Sequence, residues 1–297
     1  VDPEEAAIPR LRDRLFAARE KRARPLRDEK VLTDWNGLMI GALAHGARAF
    51  DEPSYAEAAR RAARFVLGSL VDDKGRLLKR WAAGEAAHAA VLEDYAFLCS
   101  GLIELYETDF DVRWLSEAVR LADAMLARFW DEKGGGFFFT ASDAEALLAR
   151  GKEAYDGAIP SGNSVAALDL LRLGHLTGRT AYLERAERVF RAFSGQVAKA
   201  PSGHAQMLIA LDFATGPASE IVIAGEPNAD DTRAMLKAVR SRFLPNTVVL
   251  LRPGGDDPPI GKLAEFVRAE KSLGGKATAY VCRNFACQKP VTEVEAL

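Results

Sequence analysis

Helical segments of two compositions alternate along this chain, and that alternation leaves few folds open. One type is rich in Ala, Gly and Leu and poor in charge. It covers 35–43, 95–102 and 164–171, and a fourth run extends from Ala205 to Phe213. A helix apolar on most faces is expected to be buried on most faces. The other type is amphipathic and charged, at 54–70, 112–130 and 180–197. Each of these carries an aromatic four residues before an alanine: Tyr55/Ala59, Trp114/Ala118 and Tyr182/Ala186. That spacing puts both side chains on one helix face. Trp35 and Tyr95 are 60 residues apart, and Tyr95 and Asn163 are 68 apart. Buried and amphipathic helices that pair as hairpins at such intervals predict a helical toroid or solenoid. In a toroid the apolar helices form the inner ring and the charged ones the outer ring.

The rest of the chain is arranged around that repeat. A charged helix is expected over 9–23, followed by a basic segment from Lys21 to Arg27. Residues 1–30 therefore read as an N-terminal helix and linker, and 31–216 as a partial toroid. Two strand-like runs between hairpins, 75–81 and 136–140, are expected as β-excursions over one rim. After Thr215-Gly216-Pro217 the pattern changes. Strands are expected at 220–224, 247–251 and 278–282, with a helix at 229–243 and a weak one near 260–270. Residues 217–297 thus read as a small β-α-β-α-β region. The first turn, Gly225-Glu226-Pro227-Asn228, has no glycine-rich phosphate-binding pattern. The fold class expected is mainly α: a partial (α/α) six-hairpin-type toroid with a small C-terminal α/β appendage.

Composition excludes several function classes. Of 297 residues 48% are hydrophobic, and the formal net charge is −2. That balance argues against disorder and removes the electrostatic reason to expect nucleic acid. No apolar run reaches the roughly 20 residues that span a bilayer. The three cysteines, Cys99, Cys282 and Cys287, are too few and odd in number for a secreted disulfide framework. A reducing compartment is the better expectation, and with it a cytoplasmic location. The acidic start, Val1-Asp2-Pro3-Glu4-Glu5, is no signal peptide, and its lack of an initiator Met suggests a piece of a longer protein.

The chemistry is expected where the buried helices begin. Their starts carry Thr33-Asp34-Trp35-Asn36, Glu93-Asp94-Tyr95, Asp156 with Ser161-Gly162-Asn163, and Ser202-Gly203-His204. If the repeat holds, all four clusters face one funnel. Helix N-termini supply free N–H groups and a positive dipole end. Acids and amides bond hydroxyls and aromatic rings stack on sugar faces, so the set suits a carbohydrate pocket. Asp34, Glu93, Asp94 and Asp156 are the acid/base candidates. Against this, Asp, Ser and Asn are also the preferred N-cap residues. Residues such as Trp35 and Tyr95 are more often core wedges than ligand platforms. Of the histidines, His88 and His204 lie near expected helix starts, whereas His45 and His175 sit late in buried helices as packed groups. Cys282 and Cys287 form a C-x4-C pair, which fits neither a zinc ribbon nor a C-x2-C redox centre. Two reduced thiols in a tight loop are expected there, with redox work as the alternative. No metal or cofactor is expected.

Several stretches together carry a resemblance. They are 28–40 (DEKVLTDWNGLMI), Leu92-Glu93-Asp94-Tyr95-Ala96, 156–164 (DGAIPSGNS), and Ala279-Tyr280-Val281-Cys282 with Cys287 and Pro290. The set resembles the YyaL and spermatogenesis-associated protein 20 family. The resemblance implies an N-terminal thioredoxin-like domain followed by a six-hairpin toroid, similar to those of sugar epimerases and six-hairpin glycosidases, with this chain as the C-terminal part only. It further implies that the missing half of the same protein is a partner and that a carbohydrate is the ligand. Glu93, Asp94 and Asp156 would act in acid/base catalysis, as an epimerase, isomerase or glycosidase requires. Asp34, Trp35, Asn36, Tyr95, Ser161 and Asn163 would bind substrate. The alternative is a non-catalytic scaffold serving the thioredoxin-like domain.

Overall fold

Gly37 and Gly101 set the spacing of the arc on which this fold is built. A Cβ on Gly37 would stand 2.5 Å from the backbone N of Leu98, and one on Gly101 would stand 2.4 Å from the carbonyl O of Gly37. Helix α2 (Thr33–Phe50) and helix α4 (Leu92–Asp109) therefore touch backbone to backbone, which only glycine permits. Helix α6 (Gly162–Thr177) packs on α4, and α8 (Ala205–Thr215) on α6. These four inner helices run parallel. Asp34 meets Asp94 at one end, and the Arg48 guanidinium reaches Glu104 and Thr108 at the other. The outer helices α3 (Pro53–Ser69), α5 (Val112–Arg128) and α7 (Thr180–Lys199) each pack on the inner helix they follow. The computed structural model describes residues 3–145, 147–283 and 285–297. Val1 and Asp2 of the acidic start, and Asn284 of the C-x4-C stretch, lie outside the described residues.

Helices α4 and α6 are buried all round, as apolar helices should be. The other two inner helices depart from that expectation. Trp35, Met39 and Phe50 are exposed on α2, and Leu208 and Ile209 on α8. The reason is position: α2 and α8 end the arc and have one inner neighbour each. His45 follows the same rule; expected as a packed group, it is exposed on the open side of α2. The aromatic–alanine pairs behave similarly. Trp114 and Tyr182 are buried with Ala118 and Ala186, whereas Tyr55 stays exposed against Gly46 while Ala59 is buried.

Residues 1–30 form a unit of their own: helix α1 (Pro3–Glu20), longer at its start than the expected 9–23, and an extended basic tail. Residues 31–297 form the second unit. A three-stranded antiparallel sheet crosses the inner-helix N-termini, from β1 (Val31–Leu32), β2 (Leu78–Ala82) and β3 (Glu85–Ala89). Strand β3, sequence EAAHA, was not expected, because alanine and glutamate favour helix. It carries His88 at φ 65°, four residues before the start of α4. The run 136–140 is not a strand. Phe137 makes an isolated bridge with Trp130, and the Asn163 side chain takes both its backbone groups.

The C-terminal sheet is ordered β5 (Thr247–Arg252), β4 (Ser219–Ala224), β6 (Thr278–Arg283), β7 (Ala286–Cys287). Strands β4 and β5 are parallel, with α9 (Asp230–Arg240) as the crossover, and β6 is antiparallel to β4. The weak helix near 260–270 is two 3₁₀ turns, Pro259–Lys262 and Glu265–Arg268. The sheet meets the C-terminal halves of the inner helices. Glu107 accepts from the N–H of Val249 at 3.3 Å, and His175 Nδ1 lies 2.5 Å from Glu220. Beneath it Arg172 bridges Glu104 at 2.5 Å and Glu107 at 3.1 Å. Burial opposes charge on Glu104, yet the Arg172 and Arg48 guanidiniums hold its carboxyl well below the usual range. Cys282 and Cys287, expected as free thiols, are joined by a disulfide across the β6–β7 hairpin, because the strand register sets them directly opposite. Cys99 is free and buried.

Candidate functional site

The first turns of α2 and α4 lie side by side, so their acidic residues meet. The N–H of Asp34 donates to Asp94 Oδ1 at 3.1 Å. The other Asp94 oxygen accepts from the N–H of Val91 at 2.8 Å, closing the first turn of its own helix. Lys79, from strand β2 above the rim, places its ammonium 2.6 Å from Asp34 Oδ2 and 3.2 Å from Asp94 Oδ1. One cation thus bridges two carboxylates from neighbouring inner helices.

The electrostatics follow from burial. Asp94 is fully buried, and burial pushes its carboxyl up to about 7. The Lys79 charge and the Val91 N–H act in the opposite direction, and Asp34 adds to the rise. Glu93 is also raised, by burial first, with Lys79 opposing and with Asp34 and Glu153 contributing. Burial works against the charge on Lys79, but the two aspartates hold it above its ordinary value. A carboxyl that titrates near neutrality beside a second carboxylate and an ammonium can give or take a proton at physiological pH. Trp35 follows Asp34 directly in the first turn of α2, its backbone N–H donates to Asp34 Oδ1 at 2.8 Å, and its side chain is 60% exposed.

The other expected site residues are engaged differently. Asp156 accepts from three backbone N–H groups: Ser161 at 2.9 Å, Gln206 at 2.8 Å and Met207 at 3.2 Å. Its carboxylate ties the N-termini of α6 and α8 together. Ser161 caps α6 by accepting from the N–H of Ser164 at 3.1 Å. Asn163 is buried; it accepts from the Phe137 N–H at 2.7 Å and donates to the carbonyls of Phe137 and Glu153. Tyr95 is buried against Phe129, and its hydroxyl accepts from the N–H of Leu77 at 3.0 Å and from Arg128 at 3.2 Å. Asn36 donates to the carbonyl of Leu32 at 2.8 Å. His204 directly precedes α8, with Nδ1 2.8 Å from the carbonyl of Ala200.

The structure therefore gathers Asp34, Glu93 and Asp94, and adds Lys79 and Glu153, which sequence reasoning missed. Lys79 had a signal: it lies inside the strand-like run 75–81, where alternate side chains face the helix ends. Among the described residues, no three His, Cys, Asp or Glu side chains come together to hold a metal ion. Nor, among those residues, is any helix long and apolar enough to cross a membrane.

No protein-family model matches the chain. Spermatogenesis-associated protein 20 of Homo sapiens is 35% identical over 291 residues, 95% of this chain and 37% of the human protein. An uncharacterized protein of Caenorhabditis elegans is 30% identical over 298 residues, 98% of this chain and 40% of its own length. The chain thus spans well under half of the curated relatives it matches. Among solved structures, cellobiose 2-epimerase from Bacillus thermoamylovorans superposes with a TM-score of 0.49 at 14% identity, over 57% of this chain and 46% of that one. A GH76 α-mannanase of Bacteroides thetaiotaomicron gives 0.46 at 19% identity, over 58% and 47%.

Proposed function

We infer that this chain, a homologue of spermatogenesis-associated protein 20 along 95% of its length, carries a proton-transfer site for a carbohydrate at the N-terminal rim of its helical arc. One observation carries the reading: Asp94, held up to about 7 by burial, shares the Lys79 ammonium with Asp34 and has Glu93 as its chain neighbour. Asp94 is the proton-exchanging group. Lys79 and Asp34 set its charge. Glu93, half-buried and also raised, is the second acid. Trp35 offers its open face to a sugar ring. Asp156, Ser161, Asn163, Tyr95 and Asn36 hold the rim in shape through the backbone bonds described above.

The reaction class that suits this set is epimerisation or isomerisation by proton transfer, with glycoside hydrolysis as the other arm of the test. Full-length protein incubated with reducing disaccharides in D2O is expected to place solvent deuterium on a sugar carbon. Asp94→Asn is expected to abolish that exchange. Release of monosaccharide without deuterium would assign hydrolysis, and neither product with any sugar would reject an enzymatic role. A second reading, a non-catalytic scaffold, is favoured by Asp156 and Asn163, whose polar atoms are taken up by backbone groups. The exposed apolar faces of α2 and α8 support a further part of the proposal. In the longer protein, additional hairpins cover those faces beyond the first turn of α2, which leaves Trp35 open at the rim, and a thioredoxin-like domain precedes them. We place this work in the cytoplasm.

A further inference from the structure

We propose that the Cys282–Cys287 disulfide is a thiol–disulfide exchange site whose substrate is a dithiol that attacks at Cys287. The two sulfurs differ in access. Cys287 lies on the exposed edge strand β7, whereas Cys282 is buried on β6. Exchange requires in-line approach to one sulfur, and only Cys287 offers it. The bridge is also nearly redundant as a staple. It closes a loop of a few residues, where cross-linking removes the least chain entropy. The hairpin is held by backbone bonds beyond the bridge, Gln288 N–H to the Val281 carbonyl and the paired bonds between Ala279 and Val291.

The hairpin tip reports the state of the bridge to the inner helices. Phe285, at φ 65° between the two cysteines, stacks on the buried His175 ring at 5.1 Å and 10°. Its N–H donates to Glu220 Oε2 at 3.3 Å, and the other Glu220 oxygen pairs with His175. Glu220 is also the cross-strand partner of Cys282. Opening the bridge thus loosens the ring that covers His175, at the C-terminal end of α6.

A substrate thiolate forms a bond to Cys287 Sγ, the Cys282–Cys287 bond breaks, and its electron pair passes to Cys282 Sγ. The second substrate thiol then attacks the mixed disulfide and releases Cys287. The protein gains two thiols, the substrate becomes a disulfide, and the two thiol protons pass through solvent to the cysteines.

The test uses dithiothreitol on the native chain, with alkylation counted by mass and helix content followed by circular dichroism. Two labels are expected at unchanged helix content, with Cys99 labelled only in denaturant. The His175 ring proton resonances are expected to shift in the same titration. Reduction that occurs only together with loss of helix, or two cysteines that no disulfide oxidant can bridge in the folded chain, would overturn the proposal. A second measurement locates the attacked sulfur: in Cys282→Ser the remaining Cys287 is expected to react with an aromatic disulfide at least about tenfold faster than Cys282 does in Cys287→Ser. Equal rates would overturn the assignment to Cys287.

Discussion

The backbone N–H of Asp34 donates to the carboxylate of Asp94, 3.1 Å away and 60 residues along the chain. One buried carboxylate therefore serves the first turns of two inner helices at once, and Lys79 supplies the charge that makes this tolerable. Removing the ammonium leaves two adjacent carboxylates uncompensated. Lys79→Met is expected to destabilise the fold by about 1–3 kcal/mol, below the figure for a fully buried pair because Lys79 is partly exposed. The deficit should widen as pH rises from 5 to 8, because loss of the cation raises Asp94 further. Urea unfolding across that range checks it; a deficit that does not change with pH would show that Lys79 matters only through packing.

Asp94 makes a prediction of the same kind for the unmodified chain. Its folded value, about 7, lies above its ordinary 3.8. A raised carboxyl contributes stability that is present below the unfolded value and is lost as pH rises toward the folded one. Wild type is thus expected to lose a few kcal/mol, to order of magnitude, between about pH 4 and pH 7 from this group. Asp94→Asn keeps an acceptor for Val91 and cannot ionise. Its stability relative to wild type should climb across that window and level off above it. Parallel curves for the two proteins would place Asp94 in the ordinary carboxylate range.

The helix alternation was legible because inner and outer helices bury different fractions of their surface, and composition records that directly. The site was legible in its parts rather than in its assembly. Asp34, Glu93 and Asp94 were visible as acids at helix starts, but so was Asp156. What separates them is which backbone lies opposite. The N–H donors of Asp156 at Gln206 and Met207 come from a helix 50 residues on, and no local pattern announces them. Lys79 arrives from a strand whose partner, EAAHA, reads as helix. The faces of α2 and α8 depended on how many inner neighbours each has, a property of the arc and not of either segment.

The glycine contact between α2 and α4 predicts opposite outcomes for one substitution at two places. Gly37→Ala would set a methyl 2.5 Å from the Leu98 backbone, which cannot rotate away. The two helices must part, at a cost of about 1–3 kcal/mol or more, and the Asp34–Asp94 bond lengthens with them. Gly195, inside α7, has nothing within 4 Å of an added Cβ. Gly195→Ala is expected to stabilise by about 0.4–1 kcal/mol through helix propensity. Thermal melts of the pair check this, and equal effects would refute the backbone contact.

Asp169 is fully buried on α6, and neither of its carboxylate oxygens has a hydrogen-bond partner among the described residues. Burial pushes it well above the ordinary carboxylate range; the Arg172 charge and nearby Ser100 and Cys99 oppose that rise, and Glu104 adds to it. The group is therefore protonated in the fold at pH values where the unfolded chain carries the charge. Stability from the protonated form is complete below the unfolded value and drains as pH rises, by up to about 1.4 kcal/mol per unit. Asp169→Asn mimics the neutral acid in size and polarity but never ionises. The variant should match wild type near pH 4 and exceed it increasingly toward pH 8, as read from denaturant midpoints. If instead the variant is the weaker protein at pH 8, the carboxylate is ionised in the fold and paired with Arg172, and the buried network beneath the sheet carries one more charge than its hydrogen bonds indicate.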